Sequence, residues 1–325
     1  MRILIVCPAR AGTRHGNRVT ALRWARILRS LGHRVAVREA FRGRPPDLLI
    51  ALHARKSAGA ALGFRARRPG APLIVALTGT DVYRDIHRSR TAVRALEAAT
   101  RLVALQPLAL RELRRALRPK TRVIHQSALP VRAGRRAART FDVCVPAHLR
   151  AEKDPFRTAL AARGLPAGSR IRVLQVGRAM TPAMRRRARD EMQRNPRYRW
   201  LGDRPQGETR AILARCRLMV LSSRMEGGAN VLSEALASGV PVVASRIPGS
   251  IGVLGAEYPG YFAVGATRAL ARLLRRAERD HAFYMCLARA CRRRARLVAP
   301  DAERRGWASL LGELRRPQRL FAWRM

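Results

Sequence analysis

The chain is poor in cysteine, in aromatic residues, in lysine and in long apolar runs, and each shortage excludes a class of protein. Its five cysteines (Cys7, Cys144, Cys216, Cys286 and Cys291) are odd in number and form no Cys-x-x-Cys pair. That pattern supports neither a disulfide framework nor a zinc site, and reduced thiols in the cytoplasm are expected. No Asp-x-Asp occurs, so no metal and no cofactor is expected. Aromatics make up 5% of the residues, and no zinc-finger, RNP or basic-zipper pattern is present. A nucleic-acid function is therefore not expected, despite the charge. The apolar start, Met1 to Cys7, is too short for a signal h-region, and nothing later nears the ~20 apolar residues of a spanning helix, so no stable membrane insertion is expected.

What is present is a globular composition with an extreme charge. Hydrophobic residues are 47% of 325, enough for two ordinary cores. The net charge of +46 comes almost wholly from arginine, because Lys56, Lys120 and Lys153 are the only lysines. The arginines are spread along the whole sequence and form no basic tail. Such a field gathers anionic substrates.

The order of elements reads as α/β with parallel sheets. Strands are predicted at Arg2–Cys7, Arg34–Val37, Leu48–Leu52, Leu73–Leu77, Leu102–Leu105 and Val123–Gln126. A stretch without apolar period, Pro130–Thr140, reads as a linker. Strands resume at Phe141–Pro146, Arg170–Val176, Tyr198–Leu201, Leu218–Leu221 and Val240–Ala244. Trp24, Ile27, Leu28 and Leu31 mark one face of the first helix. Helices are also predicted over Glu208–Cys216, Asn230–Ser238 and Asp301–Phe321. The expected organisation is two Rossmann-like domains, 1–135 and 136–300, followed by a closing helix, 301–325.

The strongest chemical signal is the block Met225-Glu226-Gly227-Gly228-Ala229-Asn230-Val231-Leu232-Ser233-Glu234 with its continuation Gly239-Val240-Pro241-Val242-Val243-Ala244. Glu226 falls in a loop and Glu234 about a turn into a helix that Asn230 and Val231 open. Gly227 and Gly228 bring bare backbone N–H groups toward a phosphate at the helix's positive end. An ionised Glu234, an acceptor only, suits the vicinal hydroxyls of a ribose.

This Glu-x7-Glu block resembles the retaining GT-B glycosyltransferases of family 4. The resemblance implies two Rossmann-like domains facing across a cleft, with the last helix crossing back to the N-domain. It implies that Glu234 holds the donor ribose and that Glu226, as the catalytic carboxylate, lies near the sugar ring. The segment Val145-Pro146-Ala147-His148-Leu149-Arg150-Ala151-Glu152-Lys153 resembles the family's Gly-Arg-Leu-x-x-x-Lys motif, whose Arg and Lys clamp the donor diphosphate. Lys153 matches the lysine. His148 stands in the arginine's place, which leaves His148 or Arg150 to share that charge.

A narrower resemblance, to selenosugar synthases, rests on four segments: Gly16-Asn17-Arg18-Val19-Thr20-Ala21-Leu22-Arg23-Trp24-Ala25, Ala51-Leu52-His53-Ala54-Arg55-Lys56-Ser57-Ala58, Leu77-Thr78-Gly79-Thr80-Asp81-Val82-Tyr83-Arg84-Asp85-Ile86 and His148 to Phe156. It implies transfer of a sugar from a UDP-sugar, typically UDP-N-acetylglucosamine, to selenophosphate in selenoneine biosynthesis. Thr78 stands where relatives of the wider family often carry His. The cations such an acceptor needs are offered by Arg10, Arg14, His15, Arg18, His53, Arg55 and Lys56, with Gly16, Asn17, Thr78 and Asp81 completing the loops. The competing readings are a conventional glycosyltransferase of lipid-linked or surface glycans and a basic nucleic-acid-binding protein.

Overall fold

The computed structural model describes residues 1–13, 15–132, 134 and 137–315. Packing divides them into two units, and both are parallel sheets flanked by helices.

Unit 1 runs β1 (Arg2–Val6), α1 (Gly16–Ser30), β2 (Arg34–Arg38), β3 (Leu48–Leu52), α2 (Ala58–Arg67), β4 (Leu73–Leu77), α3 (Thr80–Tyr83), α4 (Arg90–Ala98), β5 (Arg101–Ala104) and β6 (Thr121–Val123). Its six strands lie in the order β2-β1-β3-β4-β5-β6, all parallel. β3 (LLIAL) and β4 (LIVAL) are buried at every residue. A parallel sheet covered on both faces requires such continuous apolar strands. The edge strand β2 alternates exposed and half-buried positions instead.

Unit 2 runs β7 (Phe141–Pro146), α5 (Arg157–Arg163), β8 (Ile171–Val176), α6 (Pro182–Arg194), β9 (Tyr198–Trp200), α7 (Gln206–Arg215), β10 (Leu218–Leu221), α8 (Asn230–Ala237), β11 (Val242–Ser245), α9 (Pro248–Leu254), β12 (Tyr261–Phe262), α10 (Thr267–Arg279) and α11 (His281–Ala295). Its strand order is β12-β11-β10-β7-β8-β9. The chain thus winds outward from β7 in one direction, returns to β10 beside it, and winds outward in the other. Local chemistry sets several helix starts. Thr181 accepts the Met184 N–H ahead of Pro182, and Asp280 accepts the Phe283 N–H at the start of α11.

The packing assigns Gln106–Glu112 and His125 onward to unit 2, whereas the sequence expectation placed the break inside the linker at 135/136. The strands at Leu48, Leu73, Phe141 and Leu218 have the predicted bounds. Two others shift. β11 begins at Val242, because the Val240 N–H closes the end of α8 on the Ala235 carbonyl and Pro241 has no N–H to give a ladder. β6 ends at Val123, three residues before the predicted end. The short β12 was not anticipated.

The last helix, α12 (Pro300–Arg315), belongs to unit 1 from Asp301 on; the predicted continuation to Phe321 lies outside the described residues. Trp307 is fully buried, and its ring meets Trp24 of α1 edge-on, centroids 4.7 Å apart. Beside them Glu303, 1% exposed, accepts hydrogen bonds from Trp24 Nε1 at 2.7 Å and Arg23 Nε at 2.9 Å. A buried carboxylate is tolerated only with such donors. Among the described residues no helix is long and apolar enough to cross a membrane.

Removing the carboxylate takes the acceptor from the buried Trp24 indole N–H and the ion-pair partner from Arg23. Glu303→Ala is expected to lower unfolding stability by about 3 kcal/mol, and Glu303→Gln by less, in denaturant titrations.

Candidate functional site

In an open parallel sheet, neighbouring strands whose connections run to opposite faces leave a crevice at their carboxyl ends. In unit 2 that switch point lies between β7 and β10, which pair through Leu218 with Val143 and Met219 with Cys144. The loops leaving these strands, 147–153 and 222–229, hold the Lys153 segment and the start of the Met225–Glu234 block that the sequence singles out.

Hydrogen bonds lace the two loops together. Ser222 Oγ donates to the carbonyls of Lys153 (3.2 Å) and Asp154 (2.9 Å), and the Arg224 N–H donates to Glu152 O at 2.8 Å. Asp154 takes a left-handed conformation, φ +43°, just after the short turn Ala151–Lys153. Its carboxylate is held by Arg157 at 2.8 Å, whose other arm reaches Thr267 Oγ1 at 2.6 Å. The result fixes the backbone from which Lys153 projects.

Lys153 Nζ donates to Glu226 Oε1, forming an ion pair whose side chains are 17% and 10% exposed. The same Oε1 accepts Ser223 Oγ at 2.6 Å, and the Ser223 carbonyl accepts Ser245 Oγ at 2.5 Å. Behind them α9 comes so close that a Cβ on Gly249 would stand 2.0 Å from the Glu226 carbonyl oxygen. Only glycine fits there. Glu226 is therefore fixed from three sides.

Gly227 is buried and Gly228 half-buried in the approach to α8, which Asn230 and Val231 open. Glu234, on the first turn and a half, is 7% exposed and accepts from Gln206 Nε2 at 3.0 Å. The carboxylate also lies near enough to Cys144 to help raise that thiol's pKa, after a hydrogen bond with Cys216 and burial. All five cysteines are free thiols.

His148 is half-buried, and its Nδ1 accepts the Arg178 N–H at 3.1 Å. The imidazole thus ties the β7 loop to the loop after β8. That second loop is pressed close: a Cβ on Gly177 would stand 2.2 Å from the Ala147 carbonyl. Arg150 is exposed.

In unit 1 the acceptor residues expected from the sequence fall at the carboxyl ends of β1, β3 and β4, which are adjacent. Gly16, Asn17 and Arg18 open α1 after β1; Gly16 is exposed, Asn17 and Arg18 half-buried. Arg14 lies outside the described residues. His53 follows β3 in a left-handed conformation, φ +75°, with a side chain 4% exposed. Its Nδ1 accepts the Lys56 N–H at 3.3 Å, and its Nε2 lies 3.3 Å from Thr80 Oγ1 and 3.6 Å from Asp85 Oδ2. Burial pushes its pKa below the usual histidine range, against the pull of Asp81 and Asp85 and with Lys56 and Arg55 adding to the fall. His53 is thus held inward and uncharged near neutral pH, while Lys56 and Arg55 are exposed beside it. Asp81, fully buried, accepts the N–H groups of Ala54, Thr78 and Gly79 at 2.7 to 3.2 Å. It ties the β3 and β4 loops together.

The sequence did not single out Ser222, Ser223, Gln206 or Gly249. Only Gly249 had a visible signal, an Ile-Pro-Gly-Ser turn following the β11 strand. The serines look like any loop serine until β10 is placed beside β7.

No curated protein matches the sequence significantly. Among solved structures, Anabaena HepE in complex with UDP is 18% identical, with a TM-score of 0.77 over 96% of this chain and 100% of that one. Sucrose-phosphate synthase from Thermosynechococcus elongatus is 17% identical, with a TM-score of 0.76 over 96% and 98%. A glycosyltransferase from Rickettsia africae is 13% identical, with a TM-score of 0.73 over 96% and 98%. These likenesses fix the fold as GT-B, built of two Rossmann-like units. The family of glycosyl transferases group 1 matches residues 133–298, which takes in β7, β10, Lys153 and both glutamates. The chain belongs to the glycosyl transferases group 1 family and is a glycosyltransferase.

Proposed function

We propose that the protein transfers a sugar from a UDP-sugar, in the first instance UDP-N-acetylglucosamine, to selenophosphate, as a selenosugar synthase. The donor half of this reading rests on one observation: Lys153 pairs with Glu226 between the loops that leave β7 and β10 at the switch point. It is supported by structures of the same fold that hold UDP and UDP-glucose.

In this reading Lys153 and the N–H groups at the start of α8 take the diphosphate, and His148 or Arg150 adds the second positive contact. Glu234, oriented by Gln206, accepts from the ribose hydroxyls. Glu226 sits beside the sugar, where positive charge develops at the anomeric carbon as the bond to UDP breaks. Selenium attacks that carbon, a C–Se bond forms, and the C–O bond electrons leave with UDP. Selenophosphate is already an anion, so no proton has to be removed from it and no strong general base is required. The inward, uncharged His53 fits that requirement, since the exposed Lys56 and Arg55 offer charge without basic catalysis.

Anaerobic incubation with UDP-N-acetylglucosamine, with and without selenophosphate, tests the reading by mass spectrometry. The expected product carries a selenium isotope pattern on the sugar, and UDP appears only when selenophosphate is present. UDP formation independent of selenophosphate would retire the acceptor assignment. Lys153→Ala is expected to weaken UDP binding by roughly 10- to 100-fold in calorimetry, as loss of a charge-assisted phosphate contact. Glu234→Ala should raise the donor KM about tenfold or more while leaving acceptor KM near wild type, because buried hydrogen bonds to a charged group are worth about 1.5–3 kcal/mol.

A further inference from the structure

The pairing of Lys153 with Glu226 sets two requirements of the donor site against each other. A lysine that binds a diphosphate must present its charge to it, yet here that charge is already shared with a carboxylate. The pair is built into the loops. Glu226 is anchored by Ser223 Oγ at 2.6 Å and by the close approach of Gly249, and the Lys153 backbone by Ser222. With side chains only 17% and 10% exposed, the two charges are shielded from the full screening of water. Neither group can swing far without breaking these contacts.

We propose that Glu226 is an internal competitor for Lys153 that weakens the hold of unit 2 on a nucleoside diphosphate and so speeds departure of the product. The inference rests on the UDP-sugar reading above. An ammonium has three donors, so Lys153 can touch a phosphate oxygen without leaving Glu226. The carboxylate then stands close to the diphosphate, and like charges at short range repel. UDP carries more negative charge than its sugar ester, because its terminal phosphate is uncapped. The repulsion therefore bears harder on product than on donor. Before bond cleavage the sugar lies between Glu226 and the full charge; afterwards the leaving diphosphate faces Glu226 directly. One carboxylate thus serves the positive charge of the transition state and opposes the negative charge of the product.

The test is the Kd of UDP, measured by calorimetry on the full chain for wild type, Glu226→Gln, Lys153→Ala and the double variant. Glutamine keeps the size and can still accept the Ser223 hydroxyl. Glu226→Gln is expected to bind UDP roughly five- to tenfold more tightly while turning over more slowly, with the gain shrinking as salt rises. The gain should be smaller in the Lys153→Ala background, where relief of the direct repulsion remains but no lysine is released. Unchanged or weaker UDP binding by Glu226→Gln with an intact thermal transition overturns the inference, as does an equal gain without Lys153. Glu226→Ala, read in the same way, serves if the glutamine variant does not fold. A wild-type protein that fails to bind UDP removes the donor reading itself, and this inference with it; a wild type that binds UDP beside a glutamine variant without gain removes the inference alone.

Discussion

The site depends on β10 lying beside β7. These strands are far apart in sequence, and the chain leaves them in opposite directions along the sheet, which opens a crevice at their carboxyl ends. The contacts between the two loops follow from that adjacency. Ser222 can bond the Lys153 carbonyl, Arg224 can reach Glu152, and Lys153 can reach Glu226 only because the two loops emerge side by side. Had β10 been added at the outer edge beyond β9, two strands would separate the same residues. The ion pair is a consequence of strand order before it is a matter of side-chain choice.

The charge imbalance gives the carboxylates a second significance. With 21 acidic residues against 67 basic ones, acids are the limiting partner, and many are committed to holding arginines or backbone donors in place. Asp142 takes Arg172 in a two-pronged contact, Glu191 takes Arg163 and Asn195, and Glu303 joins α12 to α1. Each of these contacts joins segments distant in sequence or closes a helix. Glu234 and Glu226 are different, because they lie at the mouth of a crevice. Arginine elsewhere on the surface contributes a diffuse field that concentrates anions, with no single residue required for it.

Unit 1 shows how a histidine can be read correctly for its place and differently for its chemistry. His53 does fall at a strand end beside Lys56, as an anion-binding residue should. Its ring nevertheless points inward, takes the Lys56 N–H, and is kept uncharged by burial between Asp81 and Asp85. Asp81 is as much a tie between the β3 and β4 loops as a site residue, since its carboxylate is filled by three backbone N–H groups.

By itself the sequence determined the parallel α/β class, the central strands, and the Glu-x7-Glu and Lys153 segments. Continuous apolar runs and a helix opened behind paired glycines are local patterns, and local patterns can be read in order along a chain. Tertiary structure alone decided that Lys153 is paired with Glu226, that Ser222, Ser223 and Gly249 hold the pair, and that His53 faces inward. Those facts depend on which strands become neighbours and on how closely α9 and the β4 loop approach. Such distances between segments remote in sequence leave no periodic trace in the residues that make them.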